Sequence, residues 1–223
     1  MSVLTPTAAW QEMLDGNRRF VAGQPRHPNQ DVGRRHDLAH QQNPTATLFG
    51  CSDSRLAAEI IFDLGLGDLF VVRNAGQVIG ESIVASLEYA VGILEVPLIV
   101  VLAHDECGAV AAAIDGTAID ATPLPPAIWK LIAPIIPAAR KVLTESGGSS
   151  PADIDAELVG REHLRNTVAS LLQSSEMIST AVAEGRLGIV GANYRLAEGT
   201  AVPVITVGID SGLEVPETQE GSK

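Results

Sequence analysis

The residue types that could do chemistry in this chain gather in two short stretches. The first, Thr45 to Arg55, is an apolar run that ends by delivering a thiol, a carboxylate and a guanidinium at Cys51, Asp53 and Arg55. The second, Pro97 to Gly108, is another apolar run, and it ends in His104 and Cys107. Two thiols and an imidazole form a soft donor set, and Cys2His with an open fourth position is a composition used by catalytic zinc sites. Arg55 can hold Asp53 in a two-pronged hydrogen bond that keeps the carboxylate ionised and aimed.

Each of these residues also has a plainer reading. A free cysteine often packs as a small hydrophobe, and an exposed Asp–Arg pair contributes under about 1 kcal/mol. On the residues alone a metal site, a structural thiol pair and a redox pair all stay open, although a disulfide enzyme would more naturally show Cys-x-x-Cys. Gly65 and Gly67 do not complete a dinucleotide fingerprint, since position 70 is Phe70, and they read as a turn. Ser52 and Ser54 lack the Gly-x-Ser-x-Gly setting of a nucleophile elbow. His27, His36 and His40 read as solvated residues of a polar segment.

The elements that must position the two stretches follow a βαβαβ rhythm. Strands are predicted at Thr45 to Cys51, Asp68 to Val72 and Pro97 to His104, with helices over Ala57 to Leu64 and Ser82 to Leu94 and another opening at Cys107 or Gly108. Nearly continuous apolar strands imply a parallel sheet covered on both faces. The carboxyl ends of such strands share one edge, so Cys51, His104 and Cys107 can converge there. Upstream, Thr5 caps a helix with Pro6 at its first position, and the helix runs to Gly23. A polar segment follows, Gln24 to Asn43, with room for one short helix. This arm has little core of its own and is expected to lie along another surface, such as a second subunit. Downstream, Ala127 to Leu143 is helical but interrupted by Pro134 and Pro137. A long helical region runs from Ser150 to Ala183, with Leu158, Leu164, Val168, Leu171, Leu172, Ile178 and Val182 as its apolar stripe. Leu187 to Gly191 and Ala201 to Val207 are strands, with Pro203 marking the second as an edge. The expected organisation is a helical arm over 1–44, one α/β domain over 45–213 and a polar, frayed tail over 214–223. The fold class is α/β: a central, mostly parallel sheet flanked by helices, with an additional edge strand.

The chain has 223 residues and a net charge of −12, with a pI of about 4.7. That charge, without any Lys/Arg cluster, argues against a nucleic-acid partner. No apolar run approaches the ~20 residues of a membrane span. The first residues, Met1 to Pro6, lack the basic and apolar regions of a secretory leader, so the cytosol is the expected compartment.

Three linked motifs resemble the β-class carbonic anhydrase family in order and spacing: Cys-Ser-Asp-Ser-Arg at 51–55, Phe-Val-Val-Arg-Asn-Ala-Gly at 70–76 and His-x-x-Cys-Gly at 104–108. The likeness is strong from Gln42 to about Gly116. It implies a zinc enzyme that interconverts carbon dioxide and bicarbonate, built as a homodimer or a dimer of dimers, with one zinc per chain. Carried over by motif, Cys51, His104 and Cys107 ligate the metal and Asp53 with Arg55 forms the catalytic dyad. Gln42 matches a glutamine that hydrogen-bonds the substrate oxygen, and Gly108 offers a backbone N–H beside it. Asp53 can also take the fourth metal position, as in family members known in open and Asp-ligated forms. Ala103 replaces the glycine common before the histidine. Leu48 stands where the bicarbonate-regulated branch carries tryptophan, so the resemblance is to the branch without that pocket.

The implied mechanism rests on charge. Zinc lowers the pKa of its bound water so that hydroxide exists near neutral pH to attack CO2. Asp53 accepts a hydrogen bond from that hydroxide, and Gln42 steadies the developing charge. Two other functions compete: hydrolysis of carbon disulfide or carbonyl sulfide at the same site, and a non-catalytic zinc or thiol redox sensor. A sensor would need neither Asp53, Arg55 nor Gln42.

Overall fold

The computed structural model describes residues 4–209, so the expected tail at 214–223 lies outside the described residues. Its centre is a five-stranded sheet of order β2-β1-β3-β4-β5, formed by β1 (Ala46–Cys51), β2 (Leu69–Asn74), β3 (Leu98–His104), β4 (Gly188–Arg195) and β5 (Thr200–Val207). The first four strands are parallel, and β5 alone runs antiparallel, beside β4. This is the α/β class expected from the uninterrupted apolar runs. β1 and β3 are buried at every position, as strands with both faces covered must be.

Alternation along β3 builds two cores. Leu98, Val100 and Leu102 join a cluster with Trp10, Met13, Leu48 and Phe62, whereas Ile99, Val101 and Ala103 join Phe49, Leu87, Leu164 and Val168 on the opposite face. Helices α1 (Pro6–Val21), α3 (Ala58–Ile61), α5 (Gly108–Asp115) and α7 (Ile136–Glu145) contribute to the first cluster. Helices α4 (Glu81–Gly92), α8 (Ala156–Ser174) and α9 (Glu176–Ala183) cover the second. The remaining helices are α2 (Val32–Asp37) and α6 (Pro126–Ile132).

Several expected elements are shorter or broken, each for a local reason. The helix expected to Leu64 is the single turn α3, because Asp63 turns to a φ of +48° and Gly65 lies where a Cβ would stand 2.1 Å from the Pro28 carbonyl. A 3₁₀ turn at Ala133–Ile135 separates α6 from α7, as Pro134 and Pro137 require. The long helix from Ser150 is divided into α8 and α9 at Ser175. This buried residue is extended, accepts from the Ile178 amide and donates its hydroxyl to Glu88 at 2.7 Å; a serine that caps one helix ends the other. Leu158, expected in the apolar stripe, is 49% exposed, since it lies in the first turn of α8, ahead of that helix's buried face.

The N-terminal helix is attached to its own chain more firmly than its composition suggested. Trp10 and Met13 are fully buried, each worth about 1.5–3 kcal/mol, far more than the exposed Arg18–Asp15 pair. Buried Asn17 donates to the carbonyls of Ile61 and Gly199 and accepts from the Ala201 amide. Asp63 accepts from Arg19 at 2.6 Å and from the amides of Arg26 and His27 at 2.9 Å. Burial works against its charge, but the Arg26 amide, Arg19 and the His27 amide outweigh it and hold its pKa below the ordinary carboxylate value.

A carboxyl with a lowered pKa stabilises the fold above its unfolded value of about 3.9, and the contribution is lost as pH falls through the folded value. Asp63→Ala should therefore cost about 3 kcal/mol in urea unfolding at neutral pH, and the gap from wild type should narrow below about pH 4. A gap of the same size in acid and at neutrality would show that the carboxylate charge does not hold the arm.

Candidate metal centre and active site

Strands β1 and β3 are parallel neighbours, and their pairing ends at Gly50↔Leu102. Cys51, still paired with Asn74, ends β1 just past that pair, and His104, paired with Tyr194, ends β3, both on the edge where parallel sheets present functional groups. Cys107 follows as the residue capping α5. The ligand atoms of these three buried residues lie within 4.8 Å of one another.

His104 is prepared to give its other nitrogen to a cation. Its Nδ1 lies 2.7 Å from the Asp105 carbonyl; a carbonyl only accepts, so Nδ1 carries the proton and Nε2 is bare. That Nε2 is buried without a hydrogen-bond partner among the described residues, a loss of roughly 1–3 kcal/mol that a bound cation would remove. The two thiols compete for a proton. The Cys107 S–H lowers the Cys51 pKa to about 4 against the effect of burial, while the charge on Cys51, together with burial, pushes Cys107 up. Two sulfurs sharing a proton beside a bare imidazole nitrogen suit a thiophilic divalent cation, which displaces that proton on binding. The donor set fits zinc.

Asp53 and Arg55 meet as a fork. Arg55 donates from Nε to one carboxylate oxygen at 2.9 Å and from a terminal nitrogen to the other at 2.7 Å, and its own amide also donates to Asp53 at 2.9 Å. These bonds hold the Asp53 carboxyl well below the usual carboxylate range. Arg55 also reaches the Glu106 carbonyl at 3.2 Å, which ties the Cys51 loop to the His104 loop. The second oxygen of Asp53 stands 3.9 Å from His104 Nε2, so the ionised carboxylate flanks the three donors while remaining on Arg55.

The other expected residues are placed less centrally. Gly108 opens α5 and is exposed, and the first amides of a helix have no partner within it. Gln42 is exposed and, among the described residues, makes no hydrogen bond to either loop. Leu48 and Ala103 are core residues. His27, His36 and His40 are exposed, as expected of the polar segment. A cavity of about 280 Å³ opens beside the centre, lined among others by His104, Cys107, Val110, Glu157, Gly160 and Arg195. A larger hollow of about 610 Å³ lies against Trp129 and the far end of α5, and none of the site residues line it.

Some of the machinery escaped the residue-level reading. Arg73 donates to the carbonyls of Cys51 at 2.9 Å and Asp53 at 2.6 Å, fixing the backbone between ligand and dyad. Gly76 donates its amide to Cys51 Sγ at 3.3 Å. Both lie in the 70–76 motif, whose spacing was the available signal. His163, buried on α8 behind Gly76, carried no signal at all.

The chain matches the carbonic anhydrase family over residues 46–201. It is 50% identical over 197 residues to carbonic anhydrase 2 of Mycobacterium tuberculosis (strain ATCC 25618 / H37Rv), covering 88% of this chain and 92% of that one. It is 47% identical over 194 residues to the carbonic anhydrase of Mycolicibacterium smegmatis, covering 87% and 91%. Among solved structures, the β-carbonic anhydrase CcaA superposes with a TM-score of 0.66 at 26% identity, covering 87% of this chain and 94% of that one. The length of the family match, the identity to relatives over nearly their whole length and the shared fold place this chain in the carbonic anhydrase family, among its β-class enzymes.

Proposed function

We propose that the chain catalyses the reversible hydration of carbon dioxide to bicarbonate and a proton, with one zinc held by Cys51, His104 and Cys107. The observation that carries this is the bare, buried Nε2 of His104 among two sulfurs, with the ionised Asp53 3.9 Å from it. Zinc bound there would lower the pKa of a coordinated water toward neutrality and so supply the nucleophile. The rest is the work of the chain. Asp53 accepts the hydrogen bond of the attacking group and directs its lone pair, and Arg55 keeps Asp53 ionised. The Gly108 amide and Gln42 are the proposed donors to the substrate oxygen. Because Gln42 is exposed in the isolated chain, its service is best supplied across an interface. Among the described residues β2 has a partner on one side only, and exposed Val32, Ile60 and Leu66 lie in α2 of the arm, in α3 and in the turn that precedes β2; both features favour assembly of at least a dimer. The same ligand role needs both thiols reduced, which suits the cytosol.

Metal analysis should find about one zinc per chain, and stopped-flow assay of the zinc-loaded protein should show CO2 hydration abolished by its removal. Failure to bind zinc on reconstitution would count against the whole reading, and loaded protein inert toward CO2 would turn attention to carbonyl sulfide and carbon disulfide. Sedimentation at micromolar concentration should show a dimer or larger, and a monomer would sink the assembly.

Asp53 has a second destination, the fourth metal position, and its choice is proposed to depend on pH. Deprotonation of water competes better as pH rises, so activity should climb on the alkaline side while Asp53 closes the site at lower pH. Asp53→Asn should leave the site open yet lower kcat by about a hundredfold, whereas Arg55→Ala should release Asp53 to close it. X-ray absorption from about pH 6 to about pH 9 reports the light-atom shell of the metal; a shell that never changes in wild type would exclude the switch.

A further inference from the structure

Gly76 stands at the turn between β2 and α4 with a φ of +77°, and both of its peptide groups are engaged. Its amide donates to Cys51 Sγ at 3.3 Å, and its carbonyl accepts from His163 Nε2 at 2.8 Å. A carbonyl has no proton to give, so His163 must carry its hydrogen on Nε2. One turn further along α8, the Thr167 hydroxyl lies 2.9 Å from the His163 carbonyl and 3.4 Å from that of Gln77. Asn74 closes the turn from within, donating to the Val78 carbonyl at 2.7 Å and accepting its amide at 2.9 Å. The Gln77 side chain does not contribute, since its buried Oε1 has no partner among the described residues. Asn74 therefore sets the shape of the turn, and among the described residues the only side chain bonded to Gly76 besides Cys51 is His163, which is 3% exposed.

We infer that His163 is a positioning residue for the metal centre: from α8 it holds the Gly76 carbonyl and so fixes the residue whose amide points at the Cys51 sulfur. The inference rests on the proposed metal site, because an aimed N–H matters most to a sulfur that carries negative charge toward a cation. A hydrogen bond to a ligating sulfur draws off electron density and orients the ligand, and removing such an outer partner typically costs about 10- to 100-fold in metal affinity. Burial keeps His163 neutral, so it acts as a fixed donor and needs no proton exchange with solvent. Its bulk could be retained by leucine and its donor by glutamine, which separates packing from hydrogen bonding.

The test uses the cobalt-substituted enzyme, read by the thiolate-to-cobalt absorption and by the rate of cobalt loss to excess chelator. His163→Leu should shift the absorption and lose cobalt about tenfold faster, and His163→Gln should restore both. Wild-type behaviour in His163→Leu overturns the inference, as does a His163→Gln enzyme as impaired as His163→Leu, which would make the role one of packing. Wild-type protein that shows no thiolate absorption with cobalt defeats the metal site itself and is distinguished at that first step. Should His163→Leu fail to fold, the wild type suffices. Loaded with NMR-active cadmium, it should show scalar coupling between the metal and the Gly76 amide proton across the N–H···S bond, and absence of that coupling overturns the inference.

Discussion

The pairing of β1 with β3 is the constraint on which the rest of the site depends. Their parallel register brings Gly50 opposite Leu102, and two loops that are distant in sequence thereby open on one edge with their donors in reach of each other. A slip of one residue would send the alternating side chains to opposite faces and separate Cys51 from His104. Both strands are buried at every position, and β3 divides its side chains between two cores. Register is thus held by the packing of the whole domain, and the candidate metal centre inherits its precision from the hydrophobic effect.

Around that edge the structure concentrates charge and then restrains it. The Cys51 and Cys107 sulfurs compete for one proton, and near them His104 Nε2, 3.9 Å from Asp53, has no hydrogen-bond partner among the described residues. Left alone these groups would be costly to bury. The costs are offset by Arg55 on Asp53, by Arg73 on the loop carbonyls, by the Gly76 amide on Cys51 and by the Asp105 carbonyl on His104. The ligand atoms of Cys51, His104 and Cys107 are thereby held within 4.8 Å of one another, with Asp53 3.9 Å from His104 Nε2, which is how a polar cluster serves chemistry and not only stability.

The N-terminal arm shows how a short segment with modest composition becomes integral. Trp10 and Met13 supply the apolar area, while Asn17 and Asp63 absorb backbone groups that would otherwise be unpaired at the end of α3, at the β4–β5 turn and in the segment after α1. Residues beyond this anchorage, including Val32 and Gln42, remain exposed and are the part of the arm available to another surface.

The sequence by itself determined the class of fold and marked the candidate donors. Short uninterrupted apolar runs alternating with helical patterns are the mark of strands covered on both faces, and thiols, imidazole, carboxylate and guanidinium at strand ends leave few chemistries to choose among. Its breakers were also legible where they are local, as at Pro134, Pro137 and Gly23. Only the tertiary structure decided which way each restraint runs. That Ser175 divides the long helix depends on Glu88 of another helix, and that Asp63 organises the arm depends on amides 36 and 37 residues away. His163 lies 87 residues from Gly76 in an ordinary amphipathic helix. Local propensity carries no term for such partners, because their energies exist only once burial has excluded water and left each polar group a single place to bond.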